Sequence, residues 1–211
     1  MIVESIPVGG LMCNCVIVGD ETSKRAIVID PGDEVEKVSA LLHKHGLTVA
    51  AIVATHGHID HVGGIAKLKA LTGAPAMIHE ADMPMYENIA LQAQWLGVPP
   101  PETTAIDTHL RDGQALEFGK HKLEVRHTPG HSPGSVSFII PAGSPIVFAG
   151  DTLFAGSIGR TDLWGGSFDQ IIHSIRSSLF SLPDDSVVLP GHGPRTTIGV
   201  ERTTNPFLVN G

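Results

Sequence analysis

One segment constrains this chain more than any other: Thr55-His56-Gly57-His58-Ile59-Asp60-His61. It follows an apolar run, Val49-Ala50-Ala51-Ile52-Val53-Ala54, that reads as a buried strand. Three imidazoles and a carboxylate in one short turn after a strand make a place to hold a metal. Imidazole nitrogen and carboxylate oxygen are ligands that zinc, iron and manganese accept. Four donors within residues 56–61 crowd a single tetrahedral ion, so the spacing points to two ions sharing one loop.

Three further loops repeat the pattern. Thr128-Pro129-Gly130-His131 follows a strand ending at His127, Gly150-Asp151-Thr152 follows Ile146–Ala149, and Pro190-Gly191-His192 follows Val187–Leu189. Each sets one potential ligand at a strand end beside glycine, whose conformational freedom allows the tight turn that aims a side chain. The donors at the four strand ends are His56, His58, Asp60, His61, His131, Asp151 and His192. They divide naturally. His56, His58 and His131 hold one ion, Asp60, His61 and His192 hold the other, and Asp151 bridges them. Each ion then keeps a position for water, as catalytic sites do. His43, His45, His79, His109, His121, His127 and His173 stand outside these loops and are read as structural or solvated.

The rest of the chain supplies the frame. Strands are expected near Ile2–Ile6, Met12–Val18 and Ala26–Asp30, then an amphipathic helix from Val35 to His45 that Gly46 ends. After the His loop come a helix from Gly64 to Leu71 and a helical stretch from Glu80 to Leu96 before Pro99-Pro100-Pro101. Strands return at Ala115–Phe118, Lys122–His127 and Ser135–Ile140, and a helix is expected from Phe168 to Phe180. This order predicts two packed sheets with helices outside, a four-layer αββα sandwich of class α/β, in a single domain over residues 1–211. Trp95 and Trp164 are read as core residues. Cys13 and Cys15, two apart in a strand, share a face and suit buried thiols better than a disulfide.

With 42% hydrophobic and 17% charged residues the chain is globular. A net charge of −8 argues against a nucleic-acid partner. No apolar run is long enough to span a bilayer, and the N-terminus lacks the basic region of a secretory signal. With the free thiols, this places the protein in the cytoplasm. The sequence does not fix an oligomeric state.

The pattern H-x-H-x-D-H followed by G-H, G-D and G-H resembles the metallo-β-lactamase superfamily over nearly the whole chain. Val28-Ile29-Asp30-Pro31-Gly32, Gly159-Arg160-Thr161-Asp162 and Glu201-Arg202-Thr203-Thr204-Asn205-Pro206-Phe207-Leu208 are similar to the short glyoxalase II-like branch. The resemblance supports the ligand division above. It also implies that Asp30 lies beside the site and hydrogen-bonds a ligand histidine. Arg160, in its glycine-flanked loop, suits a carboxylate-bearing substrate. Asp162 is read as a partner for Arg160 or a turn cap.

Two divalent ions, zinc foremost with iron or manganese as alternatives, lower the pKa of a shared water from about 15.7 toward roughly 7. The metal-bridging hydroxide then attacks a carbonyl without a serine or cysteine nucleophile, and no G-x-S-x-G is present. Asp60 and Asp151 are the carboxylates assigned to catalysis. A thiolate leaves without strong acid assistance, so a small-molecule thioester is the expected substrate. The resemblance points to S-2-hydroxyacylglutathione, S-D-lactoylglutathione in particular. Full-length glyoxalase II enzymes carry a C-terminal helical domain that grips glutathione, whereas this chain ends soon after His192. The alternatives are a glutathione persulfide dioxygenase with one Fe(II) on His56, His131 and Asp151, and a lactonase or other ester hydrolase. A metal-binding module without activity is disfavoured because no ligand is missing.

Overall fold

The computed structural model describes residues 1–141 and 143–209. The chain groups into two compact units: Met1–Leu110 with Glu117–His121, and Arg111–Leu116 with the chain from Lys122 onward.

The first unit is built on a six-stranded sheet with β1 (Ile2–Val8), β2 (Cys13–Gly19), β3 (Arg25–Ile29), β4 (Thr48–Val53), β5 (Ala76–His79) and β6 (Thr108–Leu110) in sequence order. The first three strands pair antiparallel and the last four parallel. Parallel pairing needs crossovers, which helices supply. α1 (Val35–His45) connects β3 to β4, and α3 (Ile65–Thr72) precedes β5. α1 buries Val35, Val38 and Leu42 and stops at Gly46, whose φ of 63° is the left-handed cap. β3 and β4 are almost wholly buried, hence their continuous apolar runs. Parallel strands leave their C-terminal ends open to ligands. β3 ends at Asp30 and β4 ends at the His loop.

The stretch expected as one helix over Glu80–Leu96 is broken. A 3₁₀ turn (Glu80–Asp82) leads into α4 (Met83–Glu87), and α5 (Ile89–Leu96) starts after Asn88. α5 buries Ile89 and Ala93, so Leu91 and Trp95 fall on the opposite face. Trp95 is 69% exposed, not a core residue. The sequence also gave no notice of the short strands β5 and β6, which are only four and three residues long.

The second unit carries a sheet in the order β14 (Thr196–Thr197), β13 (Val187–Pro190), β10 (Ile146–Gly150), β9 (Val136–Ile140), β8 (His121–His127), β7 (Ala115–Phe118). β10 and β13 run parallel, joined through α6 (Phe168–Ser174) and a π turn at Ile175–Leu179. Ile171, Ile175 and Leu179 enter a core with Ile139, Val147, Val188 and Ile198. Between β10 and α6 lies a two-stranded hairpin, β11 (Leu153–Phe154) with β12 (Ser157–Ile158). α7 (Ile198–Thr204) carries the Glu201–Asn205 motif. Buried Glu201 accepts hydrogen bonds from Gly156 N (2.9 Å), Thr196 Oγ1 (2.6 Å) and Asn205 Nδ2 (2.8 Å). Asn205 Nδ2 also donates to Ser157 O at 3.0 Å, so α7 pins the hairpin. Trp164 lies at a loop tip and is 60% exposed, again not core. Cys13 and Cys15 are buried free thiols, as expected. Among the described residues no helix is long and apolar enough to cross a membrane.

Candidate metal centre

In the first unit β4 runs into Thr55, His56, Gly57 and His58, and His58 opens the single-turn helix α2 (Ile59–Val62) with Asp60 and His61. Gly32 in the neighbouring loop is required by closeness: a Cβ there would collide with the carbonyl of Asp60. Asp30, buried and with φ of 52°, organises this cluster. Its Oδ1 accepts from Thr55 N at 2.7 Å and its Oδ2 from Thr55 Oγ1 at 2.8 Å. Asp30 Oδ2 also lies 3.0 Å from His61 Nδ1.

These bonds set the imidazole tautomers. His61 donates its Nδ1 proton to Asp30, which leaves Nε2 with a lone pair. The Thr55 hydroxyl spends its proton on Asp30, so at 3.1 Å it accepts from His56 Nδ1 and leaves the lone pair on His56 Nε2. That nitrogen faces His58 Nδ1 at 2.9 Å. His61 Nε2 stands 3.7 Å from Asp60 Oδ2. Cys13 Sγ lies 3.5 Å from His61 Nδ1, and burial pushes its thiol up to about 11, so it stays S–H at neutral pH.

In the second unit the donors come from three strand ends. His131 Nδ1 donates to the carbonyl of Arg160 at 2.8 Å, which again puts the lone pair on Nε2. His131 Nε2 and His192 Nε2 lie 3.6 and 3.7 Å from the same atom, Asp151 Oδ2. The loops are tied to one another. Thr128 Oγ1 meets Thr152 Oγ1 at 3.1 Å, and Gly191 N donates to Gly150 O at 2.7 Å. Gly159 packs so closely over the Asp151 carbonyl that no Cβ fits. Phe154 sets its ring 6.4 Å from that of His192.

The donor set fits divalent metals. The Nε2 atoms of His61, His131 and His192 lie 3.6–3.7 Å from carboxylate oxygens, too far for a hydrogen bond. Two ligands on one tetrahedral ion stand about 3.4 Å apart when each bond is about 2.1 Å. The spacing fits two ligands sharing an ion, and the donor chemistry suits zinc or iron.

Each residue singled out in the sequence has a defined place. His56, His58, Asp60 and His61 gather in the first unit with Asp30 against His61, and His131, Asp151 and His192 gather in the second. Arg160 contributes its backbone carbonyl to His131. Its guanidinium is 61% exposed and bonds Asp162 through two contacts, 2.7 and 2.9 Å. That pairing pulls the Asp162 carboxyl down to about 2. Three residues escaped notice. Thr55 sits inside the motif and relays Asp30 to His56. Asp82 and Gln92 lie 25 and 35 positions beyond Gly57, and both bond the loop backbone. Thr55 carried a signal, its place between strand and ligand. Asp82 and Gln92 carried none, since only the fold brings them to the loop.

The family model described as the metallo-beta-lactamase superfamily matches residues 8–192. The hydroxyacylglutathione hydrolase GloC of Haemophilus influenzae is 38% identical, over 99% of this chain and 98% of its own. The mitochondrial persulfide dioxygenase ETHE1 of Bos taurus is 33% identical, over 91% of this chain and 70% of its own. Among solved structures, the BLEG-1 B3 metallo-beta-lactamase aligns over the whole of both chains with a TM-score of 0.92 and 36% identity. TTHA1623 in a di-iron-bound form aligns over 98% of this chain and 100% of its own, with a TM-score of 0.87 and 44% identity. The α/β class expected from the sequence, two sheets with helices, is borne out.

Proposed function

The chain belongs to the metallo-β-lactamase superfamily, and from that premise we propose that it is a dinuclear metal hydrolase of small-molecule thioesters. S-2-hydroxyacylglutathione, with S-D-lactoylglutathione as the test compound, is the substrate class. Residues 1–211 serve as a single domain in this proposal. His56, His58 and His131 would hold one ion and Asp60, His61 and His192 the other, with Asp151 as a ligand available to both. The ions are zinc or iron, with manganese chemically acceptable. The observation that carries this reading is the tautomer network, in which His56, His61 and His131 each place the ring proton on Nδ1, so that Nε2 carries the lone pair a metal ligand needs. The identity to a hydroxyacylglutathione hydrolase across nearly the full length of both chains supports the substrate class.

When bound, the ions supply Lewis acidity that acidifies water and polarises a carbonyl. The remaining work falls to the chain. Asp30 and the Arg160 carbonyl hold His61 and His131 in the tautomer that presents Nε2. The Asp60 carboxylate accepts the proton released by the attacking water. The thiolate departs without a dedicated acid, since a thiol pKa is about 8.5. The Arg160–Asp162 pair is exposed and weak, so a substrate carboxylate can compete for the guanidinium. The net charge of −8 disfavours nucleic acid, and the free buried thiols suit the cytoplasm.

Metal analysis of the purified chain, paired with turnover of S-D-lactoylglutathione under nitrogen, tests this. About two ions per chain with oxygen-independent thioester loss is the expected result. A second reading rests on the bovine persulfide dioxygenase relative. One Fe(II) on His56, His131 and Asp151, oxygen uptake with glutathione persulfide and no thioester loss would replace the first reading with that one.

A further inference from the structure

We infer that Gln92, assisted by Asp82, is the positioning residue for the whole His-rich loop of the first unit. The inference rests on the reading that this loop holds metal. α2 is one turn long and starts at Ile59 without a side-chain cap from His58. A helix start leaves its first amide protons without intrahelical partners. Gln92 Oε1 takes the Ile59 N–H at 2.9 Å from outside the turn. The same amide group donates from Nε2 to Gly57 O at 3.1 Å and to Met85 O at 3.0 Å. Asp82, fully buried, accepts from Gly57 N at 2.8 Å.

The consequence is geometric. Gly57 is held through both its N–H and its C=O, and Ile59 through its N–H. His58 lies between these two fixed points, His56 just before them, and Asp60 and His61 just after. One glutamine and one aspartate therefore set the backbone from which all four donors of the loop hang. Gln92 can reach because the helical stretch breaks at Asn88, which lets α5 turn the face bearing Ile89, Gln92 and Ala93 inward. Met85 O ties that face back to α4, so the clamp is closed on itself. Neither side chain needs to touch an ion. Each acts through the loop.

The test uses the full-length chain loaded with Co(II), whose absorption bands report ligand geometry, and competition with a chelator for metal affinity. Gln92→Met keeps the length and removes all three bonds, whereas Gln92→Glu keeps only the acceptor for Ile59. We expect affinity to fall about tenfold or more in Gln92→Met, as for other residues that orient ligands. Gln92→Glu should fall between it and the parent, and the Co(II) bands should shift in both. A drop in kcat should accompany this, with KM little changed. Asp82→Ala, which removes the acceptor for Gly57 N, should lower affinity in the same direction. Should a variant not fold, hydrogen exchange of the metal-loaded parent decides, since the Gly57 and Ile59 amides must then be strongly protected. Unchanged affinity and bands in Gln92→Met, or unprotected amides in the parent, would overturn the inference. A parent that takes up no Co(II) would instead overturn the metal reading on which it rests.

Discussion

In the first unit, four donors occupy one loop, and side chains hold them: Asp30 and Thr55 on one side, Gln92 and Asp82 on the other. In the second unit, three donors come from three loops, and backbone contacts brace them together with one side-chain tie, Thr128 to Thr152. Arg160 offers its carbonyl to His131, Gly191 bonds Gly150, and Gly159 covers Asp151. The difference follows from chain economy. A contiguous loop needs props from elsewhere, because its own turn cannot brace four diverging side chains. Dispersed loops at the ends of neighbouring strands brace one another, since the sheet already sets their spacing. A side-chain prop can be cut by one substitution, and a backbone prop cannot. Damage from single substitutions around the ligands should therefore concentrate in the first unit.

The sharpest break in that comparison comes from the loop itself. Asp60→Asn should lower thioester hydrolysis by orders of magnitude and drop metal content toward one ion per chain, read by elemental analysis and initial rates. Full activity with two ions would remove the dinuclear scheme. Next is Asp30→Asn, chosen because asparagine tolerates the positive φ that Asp30 adopts. An amide cannot serve Thr55 and His61 as the carboxylate does. Metal affinity should fall about 10–100-fold, measured by chelator competition, with part of the folding stability lost as well. If Asp30→Asn binds metal like the parent, side-chain bracing of the first unit is not what sets its affinity.

The matching cut in the second unit is Glu201→Gln. It places an amide N–H₂ among three donors, Gly156 N, Thr196 Oγ1 and Asn205 Nδ2. Thermal unfolding should show a loss of about 1–3 kcal/mol, the cost of a mispaired buried polar group. Metal affinity should move less than in Asp30→Asn, because the hairpin reaches the ligands through backbone and packing. A larger affinity loss in Glu201→Gln than in Asp30→Asn would invert the comparison.

The same contrast explains what the sequence could reveal. The strands that lead to ligands were readable because β3, β4 and β10 are short apolar runs ending in glycine, histidine or aspartate, a local signal. The ligands themselves were readable for the same reason. β5 and β6 were not, being too short to show a period, and their place is set by pairing across distant sequence, β5 with β4 and β6 with β5. The break at Asn88 was hidden because most of residues 80–96 are good helix formers, which outweighed Pro84 and Asn88. Trp95 and Trp164 were misplaced because bulk apolar character favours burial on average, whereas the face of α5 and the Gly165 loop decided otherwise. Asp82 and Gln92 could not be found at all, since their partners are backbone atoms that carry no sequence identity. The Glu201 motif was visible as a resemblance, and its role as the pin of the β11–β12 hairpin became clear only from its three hydrogen bonds.

The smallest effect compares two acids that are both held at about 2, Asp20 in the first unit and Asp162 in the second. Asp20 is lowered chiefly by the Ser23 hydroxyl, at 2.7 Å, and then by the Ser23 backbone N–H, at 3.1 Å. Asp162 is lowered chiefly by the Arg160 guanidinium. A depressed folded value means that each carboxylate favours the folded state above the ordinary value of about 3.9. That contribution is lost as pH falls from there through about 2. Lys120 lowers Asp20 only as the weakest cause, and the mainly neutral donors there and the guanidinium at Asp162 differ in their response to salt. At about 1 M salt the screening length shrinks to about 3 Å, so Asp162 should titrate closer to its ordinary value while Asp20 barely moves. Ser23→Ala should raise Asp20 alone. Carboxylate carbon NMR over pH, at low and high salt, reads both. Equal salt sensitivity at the two positions would mean that charge, not the Ser23 turn, holds Asp20 down.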